Sequence, residues 1–213
     1  MTTLASQRIG RKAIPFSAQD NEQKYIGCTF GTTASARSDL ELLKSLNLGC
    51  GTDIRTDCIN LDRASLPGVD VVHDLTQLPW PFANGRFGHI VCQDILEHLD
   101  IEPAMRELHR ILAPGGILEI RVPHFTSANT YADPTHERAF SINTLSFFCK
   151  GGKRDYYFDF AFTALEECRI TFPKGYGYVI EQLVNISRRM QVHYESSLLR
   201  IFPAVNVYVR LRK

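Results

Sequence analysis

Apolar residues in the first half of this chain come in short runs punctuated by glycine, proline and charged turns. Leu46 to Leu48, Cys58 to Leu61, Val69 to Val72, His89 to Cys92 and Ile117 to Val122 are too short for ordinary helices and have the length of strands. From Glu102 the pattern changes, with Met105, Leu108 and Leu112 recurring at helical spacing. Pro103 suits the first turn of that helix, and Pro114-Gly115-Gly116 predicts its stop. Strands alternating with a helix predict an α/β fold with a mainly parallel, Rossmann-like doubly wound sheet. The crossovers after the first and second strands leave little room for helices. One sheet face is therefore expected to lack its usual cover, which the N-terminal arm, the C-terminal helices or a second subunit in a homodimer would supply.

The flanking regions read differently. Residues 1–37 have weak periodicity and predict an irregular arm, after which Ser38 to Glu41 forms a capping box for a short helix ending near Lys44. Residues 38–213 form the main domain in this reading. Asp74 to Gly88, with Pro79, Pro81 and the Asn84-Gly85 turn signal, predicts a loop. Residues 123–154 are rich in His, Thr and Asn and follow the fifth strand, so they are expected over the carboxyl ends of the sheet as a lid or acceptor-site insertion, with a helix near Ile142 to Phe148. Tyr156 to Phe172 reads as strand with a break near Ala164, and Tyr178 to Phe202 as helix interrupted around Ser187 to Gln191. Val205, Val207, Val209 and Leu211 alternate with other residues as in a half-buried final strand.

The chemistry concentrates between Leu46 and Asp62. Strand, glycine turn, strand and carboxylate follow one another there, with glycine at 49 and 51. Glycine allows φ > 0 and lets a ligand approach the main chain without meeting a Cβ. A carboxylate closing the next strand is placed to accept two hydrogen bonds from a ribose diol. Dinucleotide sites add a third glycine and a full helix that holds a pyrophosphate. Here only Thr52 to Asp57 intervene, and Asp53 and Asp57 would repel phosphate. A nucleoside with a positive charge and no phosphate fits better.

LNLGCGTDIR and INLD, followed by DLTQLPWP, CQDILEHL and MRELHRILAPGGILEIRVP, resemble the motifs of class I S-adenosylmethionine-dependent methyltransferases in order and spacing. The resemblance covers about half the chain. It implies S-adenosyl-L-methionine as cofactor and a reversed last strand. It also implies that Asn47, Gly49, Cys50 and Gly51 form the turn beside the methionine end and that Asp62 binds the ribose. Asp74 would accept from the adenine amino group, the Leu75 amide would donate to the ring, and the Gln93 backbone would face the methionine part. His98 matches a histidine common in related sequences and reads equally as structural. Asn47 stands where the family commonly has an acid, and Asp53 where it has a third glycine. Trp80 reads as a core anchor.

Composition narrows the partners. At 213 residues, 44% hydrophobic and 22% charged, the chain fits one globular domain, and no apolar run approaches the ~18 residues of a membrane span. A net charge of +1 gives no general pull toward nucleic acid, so a small-molecule methyl acceptor is expected over RNA or protein. Six cysteines without a C-x-x-C pair predict reduced thiols in a cytoplasmic protein and no zinc site. His136, His124 and Asp133 are the candidate catalytic residues, one histidine removing the acceptor's proton while Asp133 orients it. The same three read as a divalent-metal set would lack a characteristic spacing, so no metal is expected. An inactive methyltransferase-like scaffold and a nucleotide-dependent oxidoreductase are the competing classes. Gly49, Gly51 and Asp62 oppose the first, and the short segment after the glycines opposes the second.

Overall fold

The computed structural model describes residues 44–151, 155–175 and 177–213. The expected arm and the capping-box helix before Lys44 lie outside the described residues. Seven strands form one sheet: β1 (Ser45–Leu48), β2 (Cys58–Asp62), β3 (Val71–Val72), β4 (Phe87–Gln93), β5 (Leu112–Pro123), β6 (Ala164–Ile170) and β7 (Asn206–Arg212). Their order is β3-β2-β1-β4-β5-β7-β6. The first five pair in parallel, and β7 runs antiparallel between β5 and β6. The reversed last strand and the Rossmann-like sheet are thus as expected. So are the short crossovers, since no helix joins β1 to β2, β2 to β3 or β3 to β4.

Helix α1 (Ile101–Ile111) forms because Ile101, Ala104, Met105, Leu108 and Ile111 fall on one stripe, and all five are buried. They pack on Leu46, Leu48, Ile90, Cys92, Leu118 and Ile120 in the main core. The helix ends earlier than Pro114-Gly115-Gly116 suggested. Leu112 is already extended, with its N–H still bonded to Leu108 O, and it opens β5. The glycines instead make an irregularity in the strand: register runs from Phe87 opposite Leu112 to His89 opposite Ile117. Gly115 has φ +77°, and a Cβ on Gly116 would lie 2.8 Å from Leu112 Cδ1. Tertiary pairing to β4 overrides the local stop signal.

The later segments also shift. After β5 come a single helical turn, α2 (Asn129–Ala132), and a 3-10 turn at Leu145–Phe148 in place of the longer helix. Another 3-10 turn at Asp155–Tyr157 occupies the start of the expected strand, which begins only at Ala164. The aromatic residues upstream go to the core, where the Phe148 and Phe158 rings stack at 4.6 Å. Two helices, α3 (Gly177–Val184) and α4 (Arg188–Ser196), are divided by Ser187, whose hydroxyl caps Met190 N.

Alternation along the strands separates two faces. Val207, Val209 and Leu211 of β7 join the main core, and Ile170, opposite Val207, packs with Val184 and Tyr194 from α3 and α4. The C-terminal helices therefore share the face of α1 and not the opposite one. That second face is polar: Asn47, Asn60, His89, Glu119, Tyr208 and Arg210 lie on it, with Arg210 Nη2 2.6 Å and His89 Nε2 3.5 Å from Glu119 Oε1. Among the described residues no helix is long and apolar enough to cross a membrane.

Candidate active site

Parallel register aligns the carboxyl ends of the strands. Leu48 pairs with Leu61 and Cys92, and Asp62 with Val72, so Gly49, Asp62, the β3 end and Gln93 stand along one edge. This is where ligands bind in open α/β sheets.

At the turn the two glycines do different things. Gly49 has φ +67°, and a Cβ there would meet Ile95 Cγ1 at 2.8 Å, so its missing side chain makes room for packing. Gly51 has φ +49°, and nothing lies within 4 Å of where its Cβ would be. The open cradle is at Gly51. Its N–H donates to Asp62 Oδ2 at 2.8 Å, while Ala64 N–H donates to Asp62 Oδ1 at 2.8 Å. Two backbone donors thus aim the carboxylate back over the turn. No helix N-terminus stands here to hold a pyrophosphate, since residues 49–57 contain only turns and irregular backbone.

Asn47 lies on the opposite face from Leu46 and Leu48 and is buried. Its amide donates to Asp53 O at 2.7 Å and to Asn60 Oδ1 at 3.1 Å, while Arg55 N–H donates to the same Asn60 oxygen at 3.0 Å. Two buried amides therefore fasten the short crossover across the sheet where a helix would otherwise pack. Asn47 shapes the turn from beneath. Cys50 is buried, with its N–H on Leu61 O, and burial pushes its thiol pKa up.

Asp74 follows β3. Its Oδ1 accepts from Thr76 N at 3.0 Å and Thr76 Oγ1 at 2.8 Å; these bonds hold the carboxyl below its ordinary pKa, and they leave the other oxygen for a ligand. Leu75 is buried, and its carbonyl accepts from Trp80 Nε1 at 3.1 Å. Trp80 is 1% exposed and is the core anchor expected of it. Its backbone N–H donates to Glu107 Oε2 at 2.8 Å, tying the loop after β3 to α1.

Beyond Gln93 the backbone turns sharply at Asp94, which has φ 52°. A non-glycine residue there costs energy and is held by Asp94 N–H on Arg121 O and by the Asp94–Arg121 ion pair. A 3-10 turn at Leu96–His98 follows. It carries Glu97, 1% exposed, with neither carboxylate oxygen hydrogen-bonded among the described residues. Burial, with a further push from the Asp94 charge, raises its pKa to about 8. Beside it stand His98 and His136, ring centroids 4.6 Å apart.

The three catalytic candidates are not brought together. His124 is fully buried: Nε2 is 3.1 Å from Glu195 Oε1, and Nδ1 faces the Thr126 amide at 3.1 Å and hydroxyl at 2.8 Å. Both ring nitrogens serve the packing around Tyr194. Asp133 does not orient His136 through its side chain; it accepts from Thr135, whose hydroxyl contacts His98 Nδ1 at 2.9 Å. His136 Nδ1 is bonded instead to the Thr130 carbonyl at 3.1 Å. Glu97 escaped the sequence reading because a glutamate in a helical-looking ILEHL reads as a solvated face, although its neighbour His98 was a signal.

Residues 25–120 match the family model described as methyltransferase domain. No curated protein matches the chain by sequence. The fold is similar to that of an S-adenosylmethionine-dependent methyltransferase from Archaeoglobus fulgidus, at 16% identity and TM-score 0.54 over 84% of this chain and 90% of that one. It is similar also to a structure described as a putative sarcosine dimethylglycine methyltransferase from Galdieria sulphuraria, at 15% identity and TM-score 0.51 over 84% and 83% of the two chains. The matched methyltransferase domain spans just under half of the chain, and the strand order and the glycine turn facing its carboxylate agree with it, so the chain is similar to the class I S-adenosylmethionine-dependent methyltransferases.

Proposed function

We propose that this protein transfers a methyl group from S-adenosylmethionine to an oxygen or nitrogen of a small molecule by in-line displacement. The observation that carries the reading is the Asp62 carboxylate, held by Gly51 and Ala64 N–H groups at the edge of the open Gly51 cradle. Each carboxylate oxygen keeps a lone pair after accepting one backbone N–H, which is what a ribose diol requires. Gly49, Cys50 and Gly51 form the turn at the methionine end, with Asn47 shaping it. Asp74 offers its second carboxylate oxygen to the adenine amino group, the Leu75 amide donates to the ring, and the Gln93 backbone faces the methionine chain.

When bound, the cofactor supplies an electrophilic methyl carbon on a sulfonium sulfur. The chain's own contribution is to hold the acceptor in line and exclude water, the latter by the segment that begins at Pro123. Glu97 O accepts from Glu137 N–H at 2.7 Å, which ties that segment to the end of β4. Of the three catalytic candidates, His136 has the geometry to meet an acceptor: Nδ1 is engaged by a carbonyl, and Nε2 faces Glu97 Oε1 at 4.0 Å. His98 stands beside it at the boundary of cofactor and acceptor. Asp133 acts on His98 through Thr135, and His124 belongs to the packing.

Calorimetry with S-adenosylmethionine, S-adenosylhomocysteine and NAD tests the reading. Binding of the first two is expected; an oxidoreductase would bind only NAD, and a scaffold none. An acceptor screen that follows S-adenosylhomocysteine release then separates small molecules from RNA and protein. The net charge of +1 supports the small-molecule choice.

A further inference from the structure

We infer that Glu97, His98 and His136 form a binding site for one first-row divalent cation of the Mn2+, Co2+ or Zn2+ kind, and that this cation takes a hydroxyl-bearing methyl acceptor. The cation site stands on its own geometry; its role toward an acceptor rests on the function proposed above. His136 then serves as a ligand and not as the base.

One ligand atom from each of the three residues lies within 4.8 Å of the others. Metal–ligand bonds of ~2.1 Å place tetrahedral ligands ~3.4 Å apart, so the cluster needs to contract by at most ~1.4 Å. The Glu97 carboxylate is 1% exposed and has no hydrogen-bond partner among the described residues. A buried carboxylate left in this state is costly, and in native proteins such groups are paired or bind metal.

The histidines are preset as ligands. Thr135 Oγ1 donates to Asp133 Oδ1 at 2.7 Å, so it must accept from His98 Nδ1–H at 2.9 Å. The Thr130 carbonyl can only accept, so His136 Nδ1 also carries the proton. In both rings Nε2 is left as a bare lone pair, and in His136 it is this atom that faces Glu97. Fixing the tautomer through the distal ring nitrogen is the ordinary support for a metal-binding imidazole.

Two imidazoles and one carboxylate suit borderline first-row cations better than Mg2+, and three protein ligands leave coordination positions open. The cluster follows the carboxyl end of β4 by four residues, at the edge where the acceptor is proposed to sit. A cation there would lower the pKa of a bound hydroxyl so that its proton is lost to solvent near neutral pH, and the oxygen would then bond to the methyl carbon as the carbon–sulfur bond breaks and S-adenosylhomocysteine leaves. His136 lies beyond residues 25–120, the stretch matched to the family domain, so the complete ligand set is not a feature of that match.

The test uses the full chain freed of metal by a chelator and titrated with Mn2+ or Co2+ alone, by calorimetry and by the visible absorption of Co2+. S-adenosylhomocysteine is titrated in parallel. One equivalent of metal is expected to bind. Thr135→Ala, which keeps all three ligands but releases the His98 ring, should weaken binding ~10-fold or more, and Glu97→Gln and His136→Ala ~100-fold or more. S-adenosylhomocysteine affinity should be unchanged in all three variants. Wild-type protein binding Co2+ no more tightly than Glu97→Gln and His136→Ala would overturn the cation site, even with S-adenosylhomocysteine bound normally. Loss of S-adenosylhomocysteine binding in a wild-type chain that does hold metal would instead overturn the methyltransferase reading and leave the cation site standing.

Discussion

Replacing Asp62 tests the cofactor pocket most directly. The carboxylate is fixed by two backbone donors, each 2.8 Å away, and each of its oxygens has one further lone pair for a ribose hydroxyl. Hydrogen bonds to a charged group contribute ~1.5–3 kcal/mol each. Asp62 is only half-buried, so the lower end applies, and two such bonds to the ribose give ~3 kcal/mol, or ~10²-fold in affinity. Asp62→Ala also removes the anchors of the Gly51 and Ala64 amides, at ~1 kcal/mol each in fold stability. Asp62→Asn separates the effects, since its single oxygen can still accept from one of those amides while its NH2 group cannot accept from the ribose. Calorimetry with S-adenosylhomocysteine reads the affinity, and urea unfolding followed by the fluorescence of the single tryptophan, Trp80, reads the fold. Unchanged S-adenosylhomocysteine affinity in both variants, with the fold intact, would refute the argument.

Gly49→Ala should cost ~2–4 kcal/mol in urea unfolding, because φ +67° adds backbone strain to a 2.8 Å contact with Ile95. Gly51→Ala meets nothing within 4 Å and should cost only ~1 kcal/mol from its φ, yet it should weaken S-adenosylhomocysteine by ~10-fold or more by filling the cradle; a reversed order would refute the division of labour between the glycines. On the polar face, burial pushes the Glu119 carboxyl up, but His89 and Arg210 outweigh it and hold the pKa at about 2. A depressed acid pKa stabilises the fold above the ordinary value of 4.5, and that contribution is lost as pH falls from 4.5 toward 2. Glu119→Gln should therefore flatten the acid limb of stability against pH by ~2–3 kcal/mol, measured as urea midpoints across that window. Trp80→Ala should cost ~3–5 kcal/mol by calorimetric melting, since the ring is 1% exposed and its N–H serves the Leu75 carbonyl.

Much of the fold was legible because it rests on local patterns. Strand-length apolar runs, the stripe from Ile101 to Ile111 and the alternation ending the chain each record which side of a backbone meets the core, and the structure forms elements at all of them. Errors fell where a distant partner outweighed a local signal. Pro114-Gly115-Gly116 reads as a stop, but pairing with Phe87 carries Leu112 into β5 before the proline is reached. The aromatic run from Tyr156 reads as strand, yet Phe158 and Phe160 find a better place packed against the core beside Phe148 than beside a neighbouring strand.

By itself the sequence determined the succession of strand-length segments along the chain, the glycine turn and the acid one strand further on, because backbone permissiveness and side-chain periodicity are properties of neighbours along the chain. Tertiary structure alone decided that Asn47 and Asn60 replace a helix with hydrogen bonds, that His124 disappears into a packed network, and that Glu97 meets His136. Those outcomes depend on burial and on which proton each imidazole keeps. Both are set by groups as far apart in sequence as Thr135 and His98, 37 residues distant, and a linear pattern does not encode that proximity.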